Sequence, residues 1–124
     1  YRKGTYYFMW SVDDTGSPNY HVCYGTSKSP LGDIVIDENN YRVIEQVPED
    51  KIYGTAHNSV LQIPGKDEWY ICYHRINKNY MDRKFGGGVP GTHREVCIDK
   101  MTFDKKGNII PVKPTLNGPE PLKK

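Results

Sequence analysis

Apolar and polar residues along this chain fall into short runs separated by clusters of Gly, Pro, Asn, Asp and Ser. That is the pattern of strands joined by turns, not of amphipathic helices. The clearest unit covers residues 54–73. A run with His57 near its start leads to the turn Pro64-Gly65-Lys66-Asp67, and Trp69-Tyr70-Ile71-Cys72-Tyr73 follows; this predicts a hairpin. Upstream, Tyr6-Tyr7-Phe8-Met9-Trp10-Ser11 and Tyr20-His21-Val22-Cys23-Tyr24-Gly25 predict two strands joined by a loop over residues 13–19. Residues 34–45 predict a short strand with polar interruptions. Downstream, residues 94–103 read as strand, 104–108 as a turn, 109–112 as an edge strand, and a Pro-rich tail follows. Residues 75–91 make a long, polar, Gly-rich stretch without periodicity, of a length that goes with function or motion in compact domains.

These units repeat. Residues 6–11 align with Trp69-Tyr70-Ile71-Cys72-Tyr73-His74 at an offset of 63, and His21-Val22-Cys23-Tyr24 aligns with Glu95-Val96-Cys97-Ile98 at an offset of 74. Leu31-Gly32-Asp33-Ile34 then resembles Lys106-Gly107-Asn108-Ile109. The added length of the second copy falls in the Gly-rich stretch. A repeating unit of several strands predicts propeller blades. Carried back through the first offset, His57 falls before Tyr1, so the chain is expected to start in mid-blade. The expected fold is all-β, about two propeller blades of antiparallel strands. Residues 1–50 would form an incomplete blade and its connection, and residues 51–124 the last blade and a tail.

Composition narrows the function. The 124 residues suffice for one domain with a modest core. A net charge of +2, with no basic run longer than Lys105-Lys106 or Lys123-Lys124, makes no electrostatic case for nucleic acid. No apolar run approaches the ~20 residues of a membrane helix. The three cysteines have no CxxC spacing and lie in apolar runs, so they read as free thiols, not as zinc ligands or a disulfide framework.

Several residue groups invite a chemical reading. Asp13 and Asp14 are paired acids, but their Asp-Asp-Thr-Gly-Ser-Pro setting predicts turn hydrogen bonds. Residues 86–91 fit GxGxxG by letter, yet they follow no strand and contain Pro90. They suit a loop bordering a cleft better than a dinucleotide site. Trp69, Tyr70, Tyr73 and His74 could stack on a sugar, but as strand residues they are expected in the core.

Four segments taken in order resemble the last part of glycoside hydrolase family 43: Gly54-Thr55-Ala56-His57-Asn58-Ser59-Val60, Asp67-Glu68-Trp69-Tyr70-Ile71-Cys72-Tyr73-His74-Arg75, residues 93–103 from His93-Arg94-Glu95, and Gly107-Asn108-Ile109-Ile110-Pro111-Val112. That family holds β-xylosidases, α-arabinofuranosidases and arabinanases on a five-bladed propeller. The resemblance implies an inverting glycosidase acting on xylan- or arabinan-type plant polysaccharide. It implies three carboxylates at the propeller axis, none of which falls in this chain, so no catalytic residue is assigned and the isolated chain is expected to be inactive. It makes His57 a substrate-binding residue on the floor of the sugar site and, through water, part of a cation site. It makes Arg94 a second substrate-binding residue, able to hold vicinal hydroxyls or a carboxylate with paired donors; the competing reading is a strand-edge arginine paired with Glu95 or a neighbouring acid. No organic cofactor is implied, and calcium is the implied ion. The expected partners are an oligo- or polysaccharide and either the missing blades or another copy, in a secreted or periplasmic protein. The rival reading is a non-catalytic carbohydrate-binding or cell-surface β domain.

Overall fold

The structure, a computed structural model, describes residues 1–77 and 93–121. These fold as two antiparallel sheets. β1 (Tyr6–Val12), β2 (His21–Ser27) and β3 (Arg42–Ile44) form sheet 1 in that order, and β4 (Ala56–Gln62), β5 (Trp69–Ile76), β6 (Arg94–Phe103) and β7 (Ile109–Ile110) form sheet 2. A single 3-10 turn at Pro48–Asp50 links them, and no α-helix occurs among the described residues. The β-branched and aromatic runs of the sequence are the strands, as their fit to a pleated, half-buried surface requires.

Strand register reproduces the internal repeat. Tyr6 pairs with Ser27 and Trp69 with Met101, so positions 63 apart in the first strands meet partners 74 apart in the second. β1, β2 and β3 thus correspond to β5, β6 and β7, and nothing beside β1 among the described residues corresponds to β4. The third match of the repeat does not carry through. After β2 the chain bridges back at Val35 to Thr26 and forms β3 only at Arg42–Ile44, whereas β7 follows a tight turn and pairs with β6 at once. The strand expected over residues 34–45 is therefore two short pieces, split where Asp37 accepts the amides of Asn39 and Asn40 in a turn.

The core lies between the sheets. Tyr7, Met9, Val22 and Tyr24 of sheet 1 meet Trp69, Ile71, Tyr73, Met101, Phe103 and Ile109 of sheet 2. Removing each large aliphatic side chain here from water contributes about 1.5–3 kcal/mol. β6 shows the alternation that follows: Asp99 and Met101 are buried, while Val96, Lys100 and Thr102 face outward. The sheets are also joined by hydrogen bonds. The Tyr7 hydroxyl donates to the Gly107 carbonyl (2.6 Å), the Ile109 amide donates to the Tyr24 hydroxyl (3.2 Å), and the Val112 amide donates to the Val43 carbonyl (2.7 Å). All three cysteines are free, with Cys23 buried and Cys72 and Cys97 half-buried.

Candidate functional site

The start of β4 sits against β1, β5 and the loop between β1 and β2. Gly54 has φ +64°, and a Cβ there would sit 3.0 Å from Ile76 and 3.4 Å from the Ser17 carbonyl. Only glycine meets both demands, a left-handed backbone and a close approach. Its amide donates to the Pro18 carbonyl (2.9 Å), which ties the loop of sheet 1 to sheet 2. Ala56 pairs with His74, and regular pairing resumes only at Ser59 with Cys72. His57 stands in this irregularity with φ +55°, a conformation non-glycine residues adopt rarely. Its amide donates to the Ser11 hydroxyl (3.0 Å).

The bulge brings His57 onto His74. Their rings stack with centroids 5.6 Å apart at 25°, and Tyr20 lies 5.7 Å from His74 on a tilted plane. Burial, then the charge of Arg94, then His57 lower the His74 pKa from 6.5 to about 4. His74 is therefore a neutral ring near neutral pH, a polar surface with no charge of its own.

Arg94 opens β6 and donates through Nη2 to the Thr15 carbonyl. It does not pair with Glu95, which Arg75 holds at 2.6 Å. Arg94 Nη1, His74 Nδ1 and Thr55 Oγ1 are buried with no hydrogen-bond partner. A buried polar atom without a partner costs roughly 1–3 kcal/mol. The two sequence-derived residues thus lie at the same end of sheet 2, both acting electrostatically on His74. Thr55, Ser11 and Tyr20 join them here without any signal in the sequence, and so does His74, which the sequence had placed among strand residues expected in the core. His74 was legible only as a histidine ending an aromatic strand, and nothing in the sequence pairs it with His57.

The paired acids do the work of a turn. Asp13 accepts from the Asp14 amide (2.7 Å) and the Ser17 hydroxyl (3.0 Å), and Asp14 accepts from the Gly16 amide (2.7 Å). Tyr73 and Arg75 are core residues: the Tyr73 hydroxyl donates to Asp99 (2.7 Å), and Arg75 is held by Glu95 and the Thr115 carbonyl. The Gly86–Gly91 segment lies outside the described residues. Among the described residues, no three His, Cys, Asp or Glu side chains gather where they could hold a metal. The titratable side chains at this end, His57, His74 and Arg94, carry only nitrogen and do not fit direct ligation of calcium, an ion that takes oxygen ligands.

Comparison with known proteins agrees with this architecture. The family model for glycosyl hydrolases family 43 matches residues 1–109. A β-D-galactofuranosidase of Aspergillus niger is 39% identical over 119 residues, covering 96% of this chain and 32% of that protein. A thermostable family-43 glycoside hydrolase of known structure superposes with a TM-score of 0.77 at 30% identity, over 98% of this chain and 35% of its own. A β-xylosidase/α-arabinofuranosidase from a compost metagenome, solved with xylotriose in a calcium-free form, shares the fold with a TM-score of 0.57 at 24% identity, over 90% of this chain and 27% of its own. The chain therefore spans about a third of the length of these relatives. The neighbours are five-bladed propellers, and the two sheets are two of the blades, the first with three strands and the second with four.

Proposed function

This chain belongs to glycosyl hydrolases family 43, and we propose that it serves in a glycosidase cleaving xylan- or arabinan-type plant polysaccharide with inversion. One carboxylate would activate water while a protonated one donates to the leaving oxygen. Both would come from the part of the relatives' length that this chain does not span. Here, Arg94 and His57 bind and orient the sugar, and the neutral His74 backs His57. The observation that carries this is the Arg94 guanidinium, fixed by the Thr15 carbonyl through one nitrogen while the other is buried without a partner. Any calcium ion at this end would be reached from His57 through water. A polysaccharide substrate also favours a secreted or periplasmic location.

A second reading concerns the sugar alone. The relative that shares 39% identity is a β-D-galactofuranosidase, which favours a galactofuranoside over a pentoside. Assays on aryl β-xylosides, α-arabinofuranosides and β-galactofuranosides separate the two. The 124-residue chain alone is expected to turn over none of them above a trace. Robust turnover abolished by Asp13→Asn/Asp14→Asn would overturn the assignment of those acids to a turn. In the full-length protein, Arg94→Ala is expected to raise KM at least tenfold with the fold intact; an unchanged KM and kcat would make Arg94 purely structural.

A further inference from the structure

Four groups at the site end of sheet 2 are met by one short stretch of sheet 1. The Ser11 hydroxyl accepts the His57 amide (3.0 Å), and the Thr15 carbonyl accepts Arg94 Nη2. The Pro18 carbonyl accepts the Gly54 amide (2.9 Å), and the Tyr20 ring lies 5.7 Å from that of His74. Ser11 belongs to β1 and Tyr20 directly precedes β2, so strand pairing holds those two contacts in place. Thr15 and Pro18 lie in the connection between the strands, where no ladder fixes the backbone.

The connection is held by its own side chains. Asp13 has φ +78°, a left-handed conformation that aspartate tolerates because its short carboxylate can bond locally. One of its oxygens accepts from the Asp14 amide (2.7 Å) and the other from the Ser17 hydroxyl (3.0 Å). Asp14 adds two bonds inside that span, accepting the Gly16 amide on its carboxylate (2.7 Å) and the Ser17 amide on its carbonyl (2.9 Å). Thr15 is therefore enclosed in a turn that Asp13 closes at both ends, and the direction of its carbonyl follows from that closure. Arg94 depends on this direction, because the adjacent acid Glu95 is held by Arg75.

We propose that Asp13 is a positioning residue for Arg94: its carboxylate shapes the turn that aims the Thr15 carbonyl, and that carbonyl fixes the guanidinium in the orientation that binds sugar. An acid that looks like half of a catalytic pair thus acts on the site through an arginine of the other sheet, without touching substrate. The effect on sugar binding rests on the reading of Arg94 given above; the fixing of the guanidinium does not.

Two readouts on the full-length protein test it. In nuclear magnetic resonance with isotope-labelled arginine, the Arg94 guanidinium signal is the one that Arg94→Ala removes. It is expected to show hindered rotation, with separate signals for its two Nη groups, in wild type and to average to one in Asp13→Ala. Asp13→Asn should keep the signals separate, since asparagine tolerates the left-handed backbone and still offers an oxygen to the Asp14 amide. In assays on the aryl glycosides, Asp13→Ala should raise KM several-fold with little change in kcat, and Asp13→Asn should restore it. Asp13→Ala should add nothing in an Arg94→Ala background, because the two residues act through one chain of contacts. Separate Nη signals in Asp13→Ala, averaged ones in Asp13→Asn, or a KM effect of Asp13→Ala that persists without Arg94 would each overturn the proposal. So would a wild-type KM in Asp13→Ala where Arg94→Ala raises it. A wild-type KM in Arg94→Ala would overturn the sugar-binding reading instead, and the Nη signals would then decide the positioning alone. Should Asp13→Ala lose the wild-type unfolding transition, Ser17→Ala, which removes the hydroxyl that closes the turn on Asp13, carries the same comparison.

Discussion

Equivalent positions in the two sheets are closed by different chemistry. In sheet 2, Tyr73 and Asp99 stand where sheet 1 has Trp10 and Gly25. Asp99 is 4% exposed and accepts from the Tyr73 hydroxyl (2.7 Å), the Thr115 amide (3.0 Å) and the Thr115 hydroxyl (2.7 Å). Beside it, Arg75 bridges Glu95 and the Thr115 carbonyl. Burial and the neighbouring carboxylate push the Tyr73 phenol far above its usual range, so it remains a donor. The tail is thus latched by charge-assisted hydrogen bonds. In sheet 1 the same place is a hollow over Gly25, filled by Ile34 and Ile36. The shared ladder preserves backbone geometry and leaves each face free to solve its own packing, one by a polar clamp and one by a steric fit.

The clamp should be the more fragile of the two, because removing one partner strands others in a buried place. Asp99→Ala is expected to cost about 2–4 kcal/mol, with faster hydrogen exchange at the Thr115 amide; urea unfolding and exchange measurements check both. A cost below roughly 0.5 kcal/mol would mean that the tail is held by packing alone. Gly25→Ala should cost less, about 1–3 kcal/mol from overpacking, and should leave exchange at Thr115 unchanged. If it loosened Thr115 as much as Asp99→Ala does, the two closures would be one coupled unit.

The smallest effect is a pH dependence at the site end. The folded-state pKa of His74 lies near 4, below its ordinary 6.5. Between these values the unfolded chain binds more protons, so stability is fully present above about pH 6.5 and falls as pH drops toward 4. His74→Gln should flatten that part of the profile while leaving the Asp99 clamp intact. Midpoints of urea unfolding at pH 7, 5.5 and 4.5, in wild type and variant, check this; parallel profiles would remove His74 from the acid sensitivity.

Local chemistry wrote much of this protein into its sequence. Aromatic and β-branched runs marked five of the strands, Pro64-Gly65-Lys66-Asp67 marked the hairpin, and the repeat offsets of 63 and 74 marked which strands are equivalent, an equivalence that the pairing register reproduces. The turn role of Asp13 and Asp14 was legible because Asx turns are closed by near neighbours. The third part of the repeat was not, because the path after β2 depends on whether Ile34 and Ile36 find a hollow to fill, which sequence similarity does not record. His57 and Arg94 were legible as residues, by resemblance; their arrangement was not. The left-handed backbone at His57, its stacking on His74, and the loss of Glu95 from Arg94 to Arg75 are outcomes of competition among groups far apart in the chain. Such contests are decided by which partners packing brings within hydrogen-bond distance and shields from water, and only the tertiary structure contains that.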